Sequence, residues 1–172
     1  MIRKCLTSDF DEILDIINDG ARVYKGVIPA DRWHEPYMSR SELKKQLDEK
    51  VVFWAFISRN SLRGVMGIQH VKDVTLIRHA YVRRLFQRRG IGSTLLTTLC
   101  QKSEQPFLIG TWAAATWAIR FYQKHGFILV PANEVPALLT KYWSLPRRQI
   151  ETSVVLGDNK WFAQKSTIEL IR

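Results

Sequence analysis

The sequence predicts an α/β protein of the α+β type, built on a mixed, mostly antiparallel central sheet flanked by helices. Three segments rich in β-branched and aromatic residues, 51–58, 64–70 and 74–82, follow one another across short turns, which is the pattern of an antiparallel meander. Apolar residues then recur at helical spacing from Ile91 and again from Trp117, each time followed by a short strand-like segment. A sheet whose strands are joined partly by short turns and partly by helices has those helices packed on its faces.

Each predicted element has a local reason. Ser8 or Asp9 can cap the first helix, and Ser39 or Ser41 can cap the second. Gly126 is suited to end a later helix, since it adopts a positive φ without strain. In chain order the predicted elements are a strand over 2–6, helices over about 8–24 and 39–49, the three meander strands, a helix over 91–100, a strand over 107–110, a helix over 117–125, a strand from 127, a helix over about 133–139 and a strand over 152–156.

The composition predicts one domain, residues 1–172. A hydrophobic content of 46% over 172 residues supports one sizeable core and leaves no room for a second ordinary domain. The N-terminus lacks the apolar stretch of a signal peptide, and the longest apolar run, 51–57, is far shorter than the roughly 18 residues of a membrane helix. We therefore expect a cytoplasmic location and no membrane partner. Cys5 and Cys100 are predicted to be reduced core residues, and no metal site is predicted.

The segment from Gln87 to Gly92, with the sequence QRRGIG, joins a predicted strand to a predicted helix through a basic loop. Free N–H groups and the helix dipole at such a junction attract anions. Glycine also lets the backbone approach a ligand closely or adopt a positive φ. Neither the Walker lysine nor the third glycine of the dinucleotide fingerprint is present. The loop therefore predicts an anion site of another kind, with a simple tight turn as the alternative.

A second segment, from Trp117 to Phe127, has the sequence WAIRFYQKHGF. It resembles the A-x-x-(F/L)-Y-x-K-x-G-F block of the GNAT N-acetyltransferase superfamily, and the QRRGIG segment resembles the Q/R-x-x-G-x-G/A loop of the same superfamily. The joint occurrence of the two blocks in this order is more specific than either one alone. The resemblance implies the GNAT acyl-CoA N-acyltransferase fold, with a cofactor-binding core over about residues 74–130.

The resemblance also implies that the cofactor is acetyl-CoA, with its pyrophosphate in the basic loop. Five arginines lie within twelve residues beside that loop, at positions 78, 83, 84, 88 and 89, and we expect them to meet the phosphates of the cofactor. The cofactor-binding residues implied by the resemblance are Tyr81, Val82, Gln87, Arg88, Arg89, Gly90, Ile91, Gly92, Ser93, Trp117 and Tyr122.

The catalytic groups follow in part from the same resemblance. Tyr122 corresponds to a tyrosine near the coenzyme sulfur, and its phenol, with an ordinary pKa near 10, can serve as the general acid. A backbone N–H of Tyr81 or Val82 is implied to polarise the carbonyl. Many members carry a glutamate base where this chain has Leu76. The catalytic base is therefore open between His79, His34, Glu35 and ordered water, and a structural role for each histidine is the simpler alternative.

Aromatic residues predict an acceptor site in the segment between the first two helices and in the region after the sixth strand. They can surround an apolar group or a cationic amine, although core packing explains them equally well. We expect a small amine or amino-acid-like acceptor that carries a carboxylate or an apolar group. The candidate acceptor-binding residues are Tyr24, Trp33, His34, Tyr37 and Trp112.

The charge balance leaves a nucleic-acid partner open but disfavoured. The chain has 26 Lys and Arg against 16 Asp and Glu, a net charge of +10. The phosphates of the cofactor account for part of this excess, and no helix-turn-helix, RNA-recognition or zinc-finger pattern is present. A solvated basic surface is the simpler explanation for the rest.

The predicted function is transfer of an acetyl group from acetyl-CoA to the primary amine of a small molecule, by direct attack in a ternary complex. Two alternatives stay open. One is a macromolecular acceptor, such as a protein N-terminus, a lysine or an aminoacyl-tRNA. The other is a non-catalytic acyl-CoA sensor, which the missing strand glutamate and Ala115, where many relatives have asparagine, would favour. The last segment, 154–172, either completes the sheet or pairs two subunits, so a homodimer also stays open.

Overall fold

A computed structural model of the chain describes residues 1–170, and their side chains up to residue 167. Short 3-10 turns follow β1 and α1 and precede α2 and α3, the last of these being Arg84–Phe86. In chain order the elements are β1 (Ile2–Lys4), α1 (Phe10–Ala21), α2 (Arg40–Asp48), β2 (Val52–Ser58), β3 (Ser61–Val71), β4 (Val74–Val82), α3 (Ile91–Cys100), β5 (Phe107–Trp112), α4 (Thr116–Lys124), β6 (Ile128–Leu129), α5 (Val135–Tyr142), α6 (Arg147–Glu151), β7 (Ser153–Gly157) and α7 (Asn159–Leu170).

The seven strands form one sheet in the order β1-β2-β3-β4-β5-β7-β6. All neighbouring pairs are antiparallel except β4 and β5, which are parallel. The predicted meander is therefore β2, β3 and β4, and α3 makes the crossover to the parallel strand β5. This confirms the predicted fold class, a mixed and mostly antiparallel sheet flanked by helices.

Helices cover both faces of the sheet because successive strand residues point to opposite sides. Val65 of β3 packs with Ile16 and Ile17 of α1, whereas the next residue, Met66, packs with Leu95 of α3. A third cluster places α5 and Trp161 of α7 against the sheet near β5 and β7. The core is thus split by the sheet into layers, and none of the described helices is long and apolar enough to cross a membrane.

The strands β4 and β5 separate partway along their length. They pair through Thr75–Ile77 of β4 and Phe107–Ile109 of β5, whereas Gly110 to Trp112 of β5 pair with β7 on the other side. The rest of β4 therefore has an edge that β5 does not cover, and a gap between the two strands begins after Ile77.

The C-terminal third differs most from the sequence prediction. The strand predicted over 152–156 is β7, and it is inserted between β5 and β6 rather than added at an edge. Within the segment 154–172, β7 completes the sheet and is followed by α7, while residues 171–172 lie outside the described part of the chain. The helices α6 and α7 were not predicted.

Both cysteines are free, and both are partly buried against the core. Burial raises the pKa of the Cys5 thiol to about 12 and that of the Cys100 thiol to about 11. Both thiols are therefore protonated near neutral pH, which gives them no nucleophilic character.

Candidate active site

The loop before α3 ends in a set of free backbone donors. Gly90 adopts φ +79° at the N-cap of α3, and the first intrahelical bond runs from Thr94 N–H to Gly90 C=O at 2.9 Å. The N–H groups of Ile91, Gly92 and Ser93 therefore point out of the helix N-terminus. A Cβ at Gly90 would meet nothing within 4 Å, so the space in front of these donors is open. This arrangement fits an anion such as a pyrophosphate.

Two contacts hold the loop against the sheet and α1. Arg84 donates from its backbone N–H and its Nε to the two carboxylate oxygens of Asp19 at 2.8 and 3.0 Å. Gln87 donates from Nε2 to the C=O of Val82 at 3.1 Å. The loop is thereby positioned next to the open end of β4.

A bulge redirects β4 where it leaves β5. Val65 of β3 pairs with Tyr81, and Gly67 pairs with Arg78, so two residues of β4, His79 and Ala80, lie opposite one residue of β3. His79 adopts φ +50°, which is uncommon for a residue other than glycine. The bulge turns the His79 ring into the region between the sheet and α2, where the ring stacks on Phe53.

Beyond the bulge, β4 directs backbone groups into the gap. The N–H of Arg83 donates to the C=O of Arg63 at 2.9 Å, and successive residues of a strand direct their N–H and C=O groups to opposite edges. The N–H of Val82 therefore faces the edge that β5 leaves open, whereas the backbone of Tyr81 faces β3. Of the two donors that the sequence left open, this alternation favours Val82.

A first cleft of about 710 Å³ fills the gap between β4, β5, α3 and α4. Arg89 and Glu35 do not line it. The predicted cofactor-binding residues that line it are Tyr81, Val82, Gln87, Arg88, Gly90, Ile91, Gly92, Ser93, Trp117 and Tyr122.

The arginines near the loop have different positions from those that the sequence suggested. Of the five, Arg88 alone lines the first cleft. Arg84 is bound to Asp19, Arg83 lies 3.7 Å from a carboxylate oxygen of Glu12, and Arg89 lies over the ring of Phe86. Arg78 lines a second cleft. Alternate strand positions and a turn send their side chains to different faces, so the structure supports a phosphate contact for Arg88, and contacts for the other four stay a prediction.

Tyr122 lies in α4 at the bottom of the first cleft. Its ring packs against Phe121 and Phe127, and the residue is 7% exposed. Burial raises the pKa of the Tyr122 phenol well above 10, so the hydroxyl is protonated throughout the neutral range. Among the described residues this hydroxyl has no hydrogen-bond partner, which leaves it available to a ligand.

The aromatic residues predicted to bind the acceptor are brought together above β4. Tyr24 packs on Tyr37 and on Trp117 with ring centroids 5.6 and 5.8 Å apart, and Trp33 stacks on Tyr37 at 5.6 Å. Trp112 donates from Nε1 to the Tyr37 hydroxyl at 3.1 Å. The five candidate residues thus form one contiguous wall, although 75 positions separate Tyr37 from Trp112.

A second cleft of about 370 Å³ lies on the other side of β4 from the coenzyme loop, between β4, α2 and the segment after α5. It is lined by His34, Tyr37 and Trp112 of the predicted acceptor site; Trp33 does not line it and reaches it only through Tyr37. The residues that line both clefts are His79 and Tyr81. These two residues of β4, at and beside the bulge, therefore lie between the two spaces and face both.

His79 is buried between the two clefts, and its environment fixes its protonation. Burial, followed by the positive charge of Arg78, lowers the pKa of the His79 imidazole to about 3. Its Nε2 lies 2.9 Å from Oε1 of Gln46, an oxygen that also accepts from Arg78 Nη2 at 2.7 Å. Because an amide oxygen only accepts, Nε2 carries the proton. The imidazole is thus neutral, with Nδ1 as its free acceptor.

The other two base candidates are held by local partners. The Glu35 carboxylate is exposed and lies 2.9 Å from Lys25 Nζ; this hydrogen bond lowers the pKa of the Glu35 carboxyl. Glu35 lines neither cleft, so the structure does not bring it to the site. His34 Nδ1 lies 2.7 Å from the C=O of Pro36. His34 lines the second cleft but not the first. Leu76 is fully buried and offers no base.

Several residues of the site were not selected from the sequence. Gly20 of α1 lies against β4, since a Cβ there would come within 3.0 Å of Tyr81. Gln46 and Gln69 bind Arg78, and Arg32 also lines the second cleft. The sequence does not mark the glutamines as site residues, because their contacts with Arg78 join α2, β3 and β4, which are far apart in the chain.

The first cleft fits a long, flexible cofactor with a phosphorylated end. The helix N-terminus supplies donors for a pyrophosphate, and the open edge of β4 can pair with amide groups of an extended chain. The class of protein defined by this fold and site is an acyl-CoA-dependent acyltransferase. The profile of the acetyltransferase (GNAT) domain matches residues 18–137, well over half of the chain. The chain therefore belongs to the GNAT acetyltransferase family and is an enzyme that acts with acetyl-CoA.

Solved structures share the fold at low sequence identity. The PaiA N-acetyltransferase from Thermoplasma acidophilum, in complex with coenzyme A, is 15% identical over 92% of this chain and 97% of that chain, with a TM-score of 0.67. An acetyltransferase of the GNAT family from Staphylococcus aureus Mu50 is 15% identical over the same shares, with a TM-score of 0.68. The ribosomal-protein-S18-alanine N-acetyltransferase from Escherichia coli is 16% identical over 92% of both chains, with a TM-score of 0.63. No curated protein sequence matches the chain.

Proposed function

We propose that the protein acetylates the primary amine of a small molecule, which binds in the second cleft while acetyl-CoA occupies the first. The observation that carries this proposal is that the two clefts share His79 and Tyr81. A volume of about 370 Å³ lies in the range of small-ligand sites, roughly 300–1,000 Å³. A ternary complex in which the amine meets the thioester at the bulge of β4 follows from this arrangement.

The roles of the chain's own groups can be assigned by position. Bound acetyl-CoA supplies the acetyl group as a thioester. The N–H of Val82 faces the first cleft and is suited to bind the carbonyl oxygen, where it stabilises developing negative charge. Tyr122 holds a proton on its Oη and donates it to the departing thiolate, after which solvent restores it. The amine nitrogen forms the new C–N bond as the C–S bond breaks.

His79 is suited to orient the amine rather than to act as a strong base. An effective general base has a pKa near the working pH, whereas burial and Arg78 lower that of His79 to about 3. Its Nδ1 is free to accept a hydrogen bond from the amine, which directs the nitrogen lone pair toward the thioester. The amine then loses its proton to water, so no dedicated base is required. This is the ordered-water alternative that the sequence left open.

The test is an acetyl-transfer assay with amines of graded size. Release of free coenzyme A is followed with a thiol reagent while acetyl-CoA is held constant, using small primary amines, peptides with free N-termini and a basic protein as acceptors. We expect turnover with at least one class of small amine and product confirmed by mass spectrometry. Turnover with only peptides or protein would replace the proposal by the macromolecular acceptor. Saturable coenzyme binding without any turnover would favour the non-catalytic sensor.

A further inference from the structure

The second cleft contains a partly buried arginine that forms no ion pair with a described residue. Arg78 donates from Nη1 to Gln69 Oε1 at 2.6 Å and from Nη2 to Gln46 Oε1 at 2.7 Å. Gln69 is oriented for this contact because its Nε2 donates to the C=O of Glu49 at 2.8 Å. Both partners of the guanidinium are neutral amides, and burial lowers the pKa of Arg78. A guanidinium has five N–H donors, so three of them remain after these two bonds.

A second arginine lines the same cleft with an unused donor. The Nε of Arg32 is buried and has no hydrogen-bond partner among the described residues. Arg32 lies close enough to Tyr37 to lower the pKa of that phenol, although burial has the larger and opposite effect. No ion pair within the part of the chain that the structure describes involves Arg32 or Arg78.

The carboxylates of the second cleft are already engaged. Glu42 accepts from the backbone N–H of Ser39 at 2.7 Å, as the N3 residue of the capping box of α2. Glu49 lies 3.8 Å from Lys45 Nζ. Neither carboxylate lies within ion-pair distance of Arg78, although the charge of Glu49 acts on Arg78 from further away and opposes the lowering of its pKa. With Arg32, Lys45 and Arg78 against Glu42 and Glu49, the lining of the cleft carries one more positive than negative charge.

A buried charge without a counter-ion is costly, and an anionic ligand removes that cost. Arginine binds carboxylates in particular, because its planar fork matches their two oxygens. We propose that the acceptor carries a carboxylate as well as its amine, and that Arg78 and Arg32 bind this carboxylate. This inference rests on the proposed function and narrows its substrate class to amino acids and related amino carboxylates.

The geometry also explains how binding of the carboxylate would place the amine. Arg78 and His79 are consecutive, and both donate to the same oxygen, Oε1 of Gln46. A carboxylate on Arg78 therefore holds the rest of a short molecule beside His79. Because His79 lines both clefts, the amine is then held at a residue that lies between the acceptor and the coenzyme.

The experiment compares matched acceptors that differ only in the anionic group. Amino acids with the amine in the α, β or γ position are assayed beside their carboxamides, and kcat/KM for each acceptor is measured at saturating acetyl-CoA. We expect the carboxylates to be preferred by at least about tenfold. The variants Arg78→Gln and Arg32→Gln should each reduce this ratio by up to roughly tenfold, toward equal use of the acid and its amide. An amino acid and its carboxamide differ in the basicity of the amine, but this difference is the same for every variant. It therefore cancels when the ratio of the two kcat/KM values is compared between variants.

The controls separate recognition from folding and from general charge. Arg148→Gln removes the same charge outside both clefts, where Arg148 pairs with Asp31, and should leave the ratio unchanged. Coenzyme affinity should also be unchanged in all three variants. Arg78→Lys keeps the charge and should restore part of the preference. If thermal melting shows that the Arg78 variants do not fold, Arg32→Gln decides the outcome.

The possible outcomes distinguish this inference from the function on which it rests. The carboxylate site is overturned if the carboxamides are acetylated with an equal or greater kcat/KM than the amino acids. It is also overturned if the preference for the amino acids survives both Gln variants. Either result still leaves a small-molecule acetyltransferase. Turnover with peptides or proteins alone overturns both. Preference for the carboxylates that is lost in the Arg78 and Arg32 variants, and retained in Arg148→Gln, supports both.

Discussion

The hydroxyl of Tyr122 is placed where it can serve a ligand without being needed for folding. The ring contributes to the core through Phe121 and Phe127, whereas the hydroxyl has no partner within residues 1–170. Burial raises the pKa of the phenol, which keeps the hydroxyl protonated at neutral pH, so that it can donate a hydrogen bond, and then its proton, to the sulfur as the thiolate departs. This combination favours a general acid over a packing residue.

Replacement of Tyr122 by phenylalanine tests that role. We expect Tyr122→Phe to lower kcat by about 100-fold, the usual contribution of a general acid. Coenzyme affinity and stability should change little, by less than about 1 kcal/mol in the free energy of unfolding, because no hydrogen bond within the protein is lost. Steady-state kinetics, calorimetric titration with acetyl-CoA and thermal melting measure the three quantities. An unchanged kcat would remove the acid role.

At the scale of elements, the junction between β4 and α3 brings together the features that are suited to hold the coenzyme. A strand that loses its neighbour offers free backbone groups, and a helix that begins at a left-handed glycine offers free N–H donors. Neither feature requires a particular side chain. In agreement with this, Arg88 is the one arginine of the five that lines the first cleft, while Arg78 lines the second and Arg83, Arg84 and Arg89 contact other side chains.

Gly90 and Gly126 form a matched pair for testing this junction. Both adopt a positive φ, +79° and +84°, and a Cβ at either would meet nothing within 4 Å. Substitution of either by glutamate should therefore destabilise the fold by a similar amount, about 1–2 kcal/mol. Gly90→Glu also places a negative charge before the N-terminus of α3, and we expect coenzyme affinity to fall by at least about tenfold. Gly126→Glu should bind normally.

Titration calorimetry with acetyl-CoA, supported by melting temperatures, distinguishes the two effects. Equal losses of affinity in both variants would mean that destabilisation alone weakens binding, and the loop would then be a structural turn.

At the scale of the whole molecule, buried His79 makes stability depend on pH. The pKa of His79 is lowered to about 3 in the folded state from about 6.5 in the unfolded chain. Between these values the unfolded state binds more protons, so stability is complete above about pH 6.5 and is lost as the pH falls. Carboxylates such as Asp9, whose pKa is lowered by its hydrogen bond with Arg3, add to the loss only at lower pH.

Urea unfolding between pH 4.5 and 6.5 isolates this effect. We expect the free energy of unfolding to decrease with falling pH at a slope of up to about 1.4 kcal/mol per pH unit. His79→Gln should flatten the slope, whereas His34→Gln, which changes an exposed imidazole, should leave it in place. An equal slope in the His79 variant would show that this imidazole is accessible to protons in the folded state.

The main features of the fold were predictable because they depend on local patterns. The meander, α3 and the helix ended by Gly126 follow from periodicity and caps that involve neighbouring residues. The late strand near 154 was also recognisable, but its position between β5 and β6 was not, since strand order depends on long-range pairing. The helices α6 and α7 lack a clear apolar stripe and gave no comparable signal.

For the site, the sequence alone determined the family and singled out the loop before α3 and Tyr122 as candidates, since each of these patterns depends on residues that are adjacent or one helical turn apart. The tertiary structure decided which arginines meet the clefts, which base candidates reach the site, and that Arg78 and His79 share Gln46. These properties depend on burial and on contacts between distant segments. They arise only when the sheet brings α2, β3 and β4 together, because a bulge and a change of strand partner decide where each side chain points.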